Sequence, residues 1–213
     1  MLVAFLLRAL PFRRRSLRFS ADLALVAGLV ALFLTPFTIR IFVVPSISME
    51  PTLRVGDVIL VDRLPSFFGI APSDGSIVVF RPPSEVATTD FVKRVVARSG
   101  DTFALVDGIA ERNGRAIREP YLANPPAYDL AVSGFSLDLN GEPLAGNLAS
   151  IPPRSQWASG DRVPNGYALV LGDNRNYSDD SHLWGFLKLR GHIVGQAIAV
   201  VWPLSHIALF SLE

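Results

Sequence analysis

The chain has 213 residues, half of them hydrophobic, and a formal net charge of +1. This composition excludes a disordered chain and binding to nucleic acid through bulk positive charge. The absence of cysteine excludes disulfides, thiolate nucleophiles and sulfur-ligated metal sites. The histidines, His182, His192 and His206, lack the spacing of metal ligands, so the sequence predicts no metal and no other cofactor.

The N-terminal region has the pattern of a membrane anchor. Residues 1–19 are basic, and residues 23–39 carry no charge over a length near the lower limit for spanning a bilayer. Arg40 can snorkel to the interface, so we expect a transmembrane helix over 20–44. Five arginines precede the apolar stretch, whereas three (Arg40, Arg54 and Arg63) follow soon after it. The positive-inside rule therefore predicts a single pass through the cytoplasmic (inner) membrane, with a cytoplasmic N-terminus and residues 45–213 on the outer, periplasmic side.

Two alternatives to an anchor fit the N-terminal pattern less well. A cleavable signal peptide has the same order of basic and apolar parts, but no small-x-small cleavage pattern follows the apolar core. A buried helix of a soluble protein would show a polar face, which residues 23–39 lack. We therefore favour an uncleaved anchor in contact with the lipid bilayer.

Beyond residue 48 the sequence predicts an antiparallel β domain. Short β-branched runs alternate with Gly-Asp, Asp-Gly and Asn-Gly turn signals. The predicted strands lie at 58–61, 77–80, 91–96, 168–171 and 193–202. Residues 125–164 are rich in Pro, Gly, Ser and Asn, which favours a loop-rich or hairpin insertion. The apolar tail at 204–212 would either pack on the domain or touch the bilayer.

Two serines at 45–53 follow the apolar segment with one residue between them. In an extended strand, Ser46 and Ser48 would point to the same face. Pro51 would end regular pairing and help fix the direction in which Ser48 leaves the strand. One hydroxyl could serve as a nucleophile and the other as an oxyanion donor. The alternative is a turn whose hydroxyls only satisfy backbone groups.

A nucleophilic serine needs a base, and the candidates are Lys93 and His182. Strand alternation places Lys93 on one face with Phe91 and Val95, and Arg94 on the opposite face. Apolar neighbours would lower the pKa of the amine by desolvation, as a base near neutral pH requires. The ordinary alternative is one polar side chain on a half-exposed strand.

A dense polar loop at 172–181 directly follows an apolar predicted strand, where rigid scaffolds often hold functional residues. Ser178 could hydrogen-bond the neutral amine of Lys93 and aim it. Asp180 and Arg175 could pair and brace the loop, with Asp173 supporting the turn. By itself, the loop is equally consistent with a solvated turn.

Taken together, these segments resemble the type I (leader) signal peptidases, which are membrane serine proteases with a Ser/Lys dyad. The motifs occur in the family's order: Pro-Ser-x-Ser-Met-x-Pro-Thr-Leu at 45–53, Phe-Val-Lys-Arg-Val-Val-Ala-x-x-Gly-Asp at 91–101, and Gly-Asp-Asn-Arg-x-x-Ser-x-Asp-Ser at 172–181. The resemblance implies a mainly β fold, in which an N-terminal transmembrane helix precedes an antiparallel β-rich catalytic domain. A smaller β-ribbon insertion would lie at about 105–165.

The resemblance also implies roles for the matching residues. Ser48 would be the nucleophile, Lys93 the general base and Ser46 the side-chain donor of the oxyanion hole. Residues implied to orient the lysine or support the site are Ser178, Asp180, Arg175 and Asp173. Residues implied to line shallow pockets for small side chains are Phe42, Val44, Met49, Phe91 and Val92. The implied partners are signal peptides of exported preproteins and the bilayer, without nucleic acid or metal.

One position departs from the family pattern, and three alternatives remain. His182 stands where many members carry arginine after Asp-Ser, so its pairing with Asp180 would be weaker or pH dependent. A peptidase specialised for one conjugation or pilus system would use the same chemistry. A membrane-tethered β module that binds exported chains without cutting them is the non-enzymatic alternative, and a Ser-His-Asp triad is the mechanistic one. A nucleophile and a base at motif spacing favour an endopeptidase.

Overall fold

The computed structural model describes residues 21–29, 37–83, 86–131 and 162–210. The chain divides into two units, Met1–Ile39 and Arg40–Glu213. In the first unit, residues 21–29 are helical and their side chains are exposed. Within the four described ranges, no helix combines the length and the apolar character needed to cross a membrane.

The predicted anchor at 20–44 ends in a strand, not in a helix. Residues Ile39–Val43 form strand β1, so the helix prediction was wrong for this end of the segment. The physical reason is local, because β-branched and aromatic residues dominate this stretch and favour extended backbone. The rest of the predicted anchor includes residues 30–36, which lie outside the described residues, as does the basic segment 1–19.

Eight described strands form one sheet. Besides β1 they are β2 (Val58–Asp62), β3 (Ile77–Phe80), β4 (Phe91–Arg98), β9 (Tyr167–Leu171), β10 (Leu187–Lys188), β11 (Ile193–Trp202) and β12 (Ala208–Leu209). Their order is β1-β2-β11-β3-β4-β9-β10, and β12 pairs with β11. The central pairs are antiparallel, which confirms the mainly β, antiparallel part of the predicted fold.

The start of the predicted insertion forms a smaller antiparallel sheet. Its strands are β5 (Phe103–Val106), β6 (Ile109–Arg112), β7 (Arg115–Ala116) and β8 (Leu130–Ala131), in the order β7-β6-β5-β8. Two tight turns connect β5, β6 and β7, and in both turns the two central residues have positive φ. Asp-Gly and Asn-Gly are the pairs that favour this type I′ geometry, as the turn signals predicted. Residues 132–161 of the insertion lie outside the described residues.

The predicted strands agree closely with the observed ones. The strands predicted at 77–80 and 193–202 have the observed bounds of β3 and β11. The other three are each longer by one or two residues, because backbone pairing with the neighbouring strands continues past the β-branched run. The β-branched runs between turn signals were therefore a sufficient signal for five of the eight strands of the main sheet.

Strand β4 lies among all three apolar clusters of the second unit. Val95 belongs to the cluster around Phe80 and Trp184, whereas Val96 belongs to the cluster that joins the two sheets. Val92 packs against a third cluster, which contains Met49. A charged side chain in the middle of this strand is therefore surrounded by apolar groups on either face, which is the condition for a desolvated lysine.

The C-terminal tail packs on the domain as far as residue 210. Strand β12 pairs with β11 through Ala208 and Leu209, and the Phe210 N–H donates to the Ile198 carbonyl at 2.9 Å. Of the two placements that the sequence left open for the tail, packing on the domain is therefore observed. Apolar side chains of the tail nevertheless face outward, since Leu204 is 70% and Leu209 is 85% exposed.

Candidate active site

Ser48 lies in a tight turn and not in the predicted extended strand. Ile47–Met49 form a 3₁₀ turn, and the residues on either side of it, Ser46 and Glu50, have extended dihedrals. The side chains of Met49 and Leu53 are buried in the third apolar cluster. Burying a side chain of this size stabilises the fold by about 1.5–3 kcal/mol. The burial of Met49 and Leu53 therefore stabilises the turn. The strand prediction was wrong because it ignored this packing.

The turn brings together the groups that the sequence singled out. Lys93 Nζ lies 2.7 Å from Ser48 Oγ, and Ser46 Oγ lies 3.2 Å from the same atom. Ser48 and Lys93 are only 7% and 4% exposed. The alternative of a half-exposed lysine is therefore wrong for this strand.

The surroundings of Lys93 follow from strand alternation. The ring of Phe91 lies 5.3 Å from Nζ on the face that the sequence predicted. Burial lowers the pKa of the Lys93 amine and outweighs the opposing effect of the nearby carboxylates of Asp180, Asp179 and Asp173. A neutral amine can accept the proton of the Ser48 hydroxyl, whereas the ammonium form cannot.

The polar loop at 172–181 contacts the turn Ile47–Met49, called the serine turn below, through the backbone carbonyls of that turn. The Asn174 N–H donates to the Ser48 carbonyl at 3.0 Å, and Asn174 Nδ2 donates to the Ile47 carbonyl at 3.1 Å. Gly172 packs so closely that a Cβ there would overlap the Ser48 carbonyl oxygen and Ser178 Oγ. The loop therefore holds the turn in place by direct contact with its peptide groups.

Asp180 and Arg175 take other partners than the predicted ones. Asp180 does not pair with Arg175. Its Oδ2 accepts from the Gly172 N–H at 2.8 Å, and its Oδ1 lies 2.8 Å from His182 Nδ1. Arg175 Nη2 instead donates to Glu119, which precedes β8. The reason is that Asp180 caps the short helix Ser181–Trp184, which directs its oxygens away from Arg175.

Ser178 and Asp173 also differ from their predicted contacts. Within the described residues, Ser178 Oγ is buried and makes no hydrogen bond, so the predicted bond to Lys93 is not formed. Asp173 forms a bidentate ion pair with Arg94, with Nε to Oδ1 at 2.8 Å and Nη2 to Oδ2 at 2.6 Å. Asp173 therefore ties the loop to β4.

His182 contacts Asp180 and stacks on the ring of Tyr128, with ring centroids 4.3 Å apart. It takes the position beside Asp180 where the resemblance implies a basic side chain. The partners of the Ser48 hydroxyl are Lys93 and Ser46, so the geometry favours the lysine over the histidine as a base.

A cleft of about 320 Å³ opens beside Ser48 and Lys93. Four of the five residues predicted to bind substrate line it: Val44, Met49, Phe91 and Val92. The fifth, Phe42, does not. It packs against the same apolar cluster as Val92.

The sequence did not single out several residues of the site, among them Tyr177, Glu119 and Tyr121. Tyr177 lines both this cleft and a second cleft of about 410 Å³ beyond the serine turn. Glu119 and Tyr121 contact the arginines of the site from the segment after β7. Tyr177 occupies an unspecified position of the loop motif, and a Glu-x-Tyr pair in a variable insertion carried no signal of its own.

A buried serine hydroxyl, a desolvated lysine amine within hydrogen-bond reach and a second hydroxyl beside them are the parts of a serine hydrolase that uses lysine in place of histidine. The sequence matches the family described as signal peptidase, peptidase S26, over residues 17–202. The chain belongs to this family, as its motifs predicted, and it is a serine endopeptidase.

Relatives in the family have similar length and moderate identity. The protein named "Probable signal peptidase I-1" from Synechocystis sp. is 36% identical over 189 residues, which are 86% of this chain and 81% of the relative. Signal peptidase I from Leptolyngbya laminosa is 32% identical, over 84% of this chain and 76% of the relative. A crystal structure of a signal peptidase I from Enterococcus faecalis V583 is 27% identical, covers 59% of this chain and 96% of its own, and gives a TM-score of 0.42.

Proposed function

We propose that this protein removes signal peptides from exported preproteins at the membrane surface, with Ser48 as the nucleophile and Lys93 as the general base. The observation that carries the proposal is the distance of 2.7 Å between Lys93 Nζ and Ser48 Oγ, with both side chains buried. A lysine is rarely buried to this degree without a purpose, because desolvation of the ammonium destabilises the fold.

The reaction follows from these positions. The neutral amine of Lys93 accepts the hydroxyl proton as Ser48 Oγ attacks the scissile carbonyl carbon, and the carbonyl oxygen becomes an oxyanion. The Ser46 hydroxyl and the Ser48 backbone N–H would stabilise that charge. Collapse breaks the C–N bond, and the leaving amine takes the proton from the Lys93 ammonium. Water then attacks the ester with the same amine as base, which releases the signal peptide and restores the serine.

The shape of the cleft supports a preference for small side chains. Val44, Met49 and Val92 form apolar walls close to the reacting hydroxyl, and a shallow pocket selects by excluding larger groups. An extended substrate would bind beside these cleft residues through main-chain hydrogen bonds. Ser178, Asp180, Arg175 and Asp173 would act by holding the loop against the serine turn.

The proposal includes a membrane anchor upstream of β1. Hydropathy at 23–39 and the five arginines in residues 1–19 support a single pass with the N-terminus in the cytoplasm. The domain from 45 to 213 would then lie outside the cytoplasmic membrane. Exposed apolar residues of the tail, such as Leu204 and Leu209, support contact with the lipid surface.

The test is processing of a preprotein by purified protein in detergent or vesicles. Ser48→Ala and Lys93→Ala should each abolish cleavage, whereas Lys188→Ala, in the edge strand β10, is the matched lysine control. His182→Ala should lower the rate by less than about tenfold, because Asp180 keeps its bond to Gly172. Cleavage by either the serine or the lysine variant would refute the assignment.

Two further readouts separate the alternatives. A loss in His182→Ala as large as that in Ser48→Ala would favour the Ser-His-Asp triad. A panel of unrelated preproteins separates a general peptidase from one that serves a single conjugation or pilus system, since only the former should cut most of the panel.

A further inference from the structure

The segment between β7 and β8 contacts the polar loop at 172–181, called the catalytic loop below, at two places and the following residue, His182, at a third. Glu119 binds Arg175, and the ring of Tyr128 stacks on His182. Between them, Asn176 exchanges hydrogen bonds with the backbone, donating to the Pro125 carbonyl at 3.0 Å and accepting from the Ala127 N–H at 2.7 Å. The smaller sheet is thus joined to the site by specific polar contacts.

Glu119 is the buried charged member of this segment. Its side chain is 6% exposed and that of Arg175 is 0% exposed. Glu119 Oε1 accepts from Arg175 Nη2 and also from the Tyr121 hydroxyl, the latter at 2.8 Å. Because a buried guanidinium needs a compensating anion, Glu119 determines where Arg175 can lie.

Arg175 connects Glu119 to the serine turn through Gly172. Its Nε donates to the Gly172 carbonyl at 3.1 Å, and Gly172 is in close contact with the Ser48 carbonyl. Tyr121 contacts the second arginine, because its ring centroid lies 3.9 Å from Arg94 Cζ, and Arg94 in turn binds Asp173. Both arginines that anchor the loop therefore depend on this one Glu-x-Tyr pair.

We propose that Glu119, supported by Tyr121, is a positioning residue that sets the catalytic loop against Ser48, an inference that rests on the proposed function. Glu119 is absent from the lining of the cleft formed by Val44, Met49, Phe91 and Val92. Its loss should therefore displace the reacting hydroxyl without changing how the substrate binds. A displacement of about 1 Å lowers a rate by about 100-fold.

The experiment compares kcat and KM for preprotein cleavage by Glu119→Gln, Tyr121→Phe and Glu111→Gln. Glu111 is an exposed acid on β6 of the same small sheet and serves as the matched control. Glu119→Gln should lower kcat about 100-fold with KM within about threefold of wild type. Tyr121→Phe, which keeps the ring against Arg94 but loses the hydroxyl, should lower kcat by a smaller factor of about fivefold, and Glu111→Gln should have no effect.

Thermal unfolding separates positioning from a loss of folding. Glu119→Asp keeps the charge on a shorter side chain, so its kcat should be at least tenfold higher than that of Glu119→Gln. This comparison tests positioning even if Glu119→Gln unfolds at a lower temperature than wild type. A kcat for Glu119→Gln within twofold of wild type, or equal losses in kcat for Glu119→Asp and Glu119→Gln, would overturn the proposal. Failure of the proposed function would show differently, as cleavage that persists in Ser48→Ala.

Discussion

Arg94 and Asp173 form a bidentate ion pair between β4 and the loop that follows β9, with N–O distances of 2.8 and 2.6 Å. Arg94 directly follows Lys93, and alternation along β4 turns the two side chains to opposite faces. One strand therefore supplies the proposed base to one face and an anchor for the catalytic loop to the other. Because Lys93 and Arg94 are adjacent on β4, the ion pair of Arg94 with Asp173 fixes the position of the loop relative to Lys93.

We expect Asp173→Asn to weaken both the fold and the activity. The pair is largely buried, with side-chain exposures of 11% and 1%, and removal of one partner leaves an uncompensated guanidinium. Such a loss costs about 3 kcal/mol or more in the free energy of unfolding. Urea denaturation and preprotein cleavage measure the two effects. Asp74→Asn, which breaks more exposed pairs with Arg98 and Arg112, is the control and should cost less than about 1 kcal/mol.

The rate of cleavage should rise with pH. The neutral amine of Lys93 is the proposed base, and burial lowers the pKa of Lys93 below its ordinary value of 10.5. The ammonium form is inactive, so kcat/KM should be low in acid, rise as the amine loses its proton, and reach a plateau below pH 10.5. A profile of kcat/KM that stays flat from acidic to alkaline pH would contradict the role of Lys93.

Lys93→Met should be inactive but more stable than wild type at neutral pH. Below the folded pKa the buried ammonium is desolvated, so its replacement by an apolar side chain of similar length should raise the free energy of unfolding by about 1 kcal/mol. Between the lowered pKa and 10.5, the unfolded chain binds the extra proton. Wild-type stability therefore rises with pH in that window, and the advantage of the variant should shrink. Thermal unfolding at several pH values provides the measurement, and a destabilised variant at neutral pH would count against it.

Gly172→Ala should abolish or strongly reduce activity. A Cβ at this position overlaps the Ser48 carbonyl oxygen and Ser178 Oγ, so the loop and the serine turn must separate. Overpacking of this kind costs about 1–3 kcal/mol in stability. Gly28→Ala is the matched control, because no heavy atom of the described residues lies within 4 Å of an added Cβ there. Equal cleavage rates for the two variants would show that the close contact is unimportant.

Val92→Ala should broaden the choice of side chain before the scissile bond. Val92 lines the cleft, whereas Phe42 does not, although both pack against the same apolar cluster. Removing two methyl groups from the cleft wall should raise the relative kcat/KM for a substrate with a larger side chain by about tenfold. Cleavage of matched peptides gives this ratio, and Phe42→Ala should leave it unchanged. A change of the ratio in Phe42→Ala instead would restore Phe42 to the substrate-binding residues.

Much of the fold was predictable because the main strands satisfy local rules. The β-branched runs at 77–80 and 193–202 have the bounds of β3 and β11. The Asp-Gly and Asn-Gly turns of the smaller sheet follow from positive-φ preferences. Period-two alternation also placed Lys93 with Phe91 and away from Arg94. In each case the deciding interaction lies within a few residues along the chain.

By itself, the amino-acid sequence determined five strands of the main sheet, the three motifs and the face of β4 that carries Lys93. Tertiary structure decided the partners of the buried charges, because Arg175 meets Glu119 across a separation in sequence that no local spacing encodes. It also decided that the segment around Ser48 turns instead of extending, since burial of Met49 and Leu53 outweighs the strand pattern. Local backbone preference acts between neighbours, whereas desolvation and ion pairing act between whichever groups the folded chain brings together.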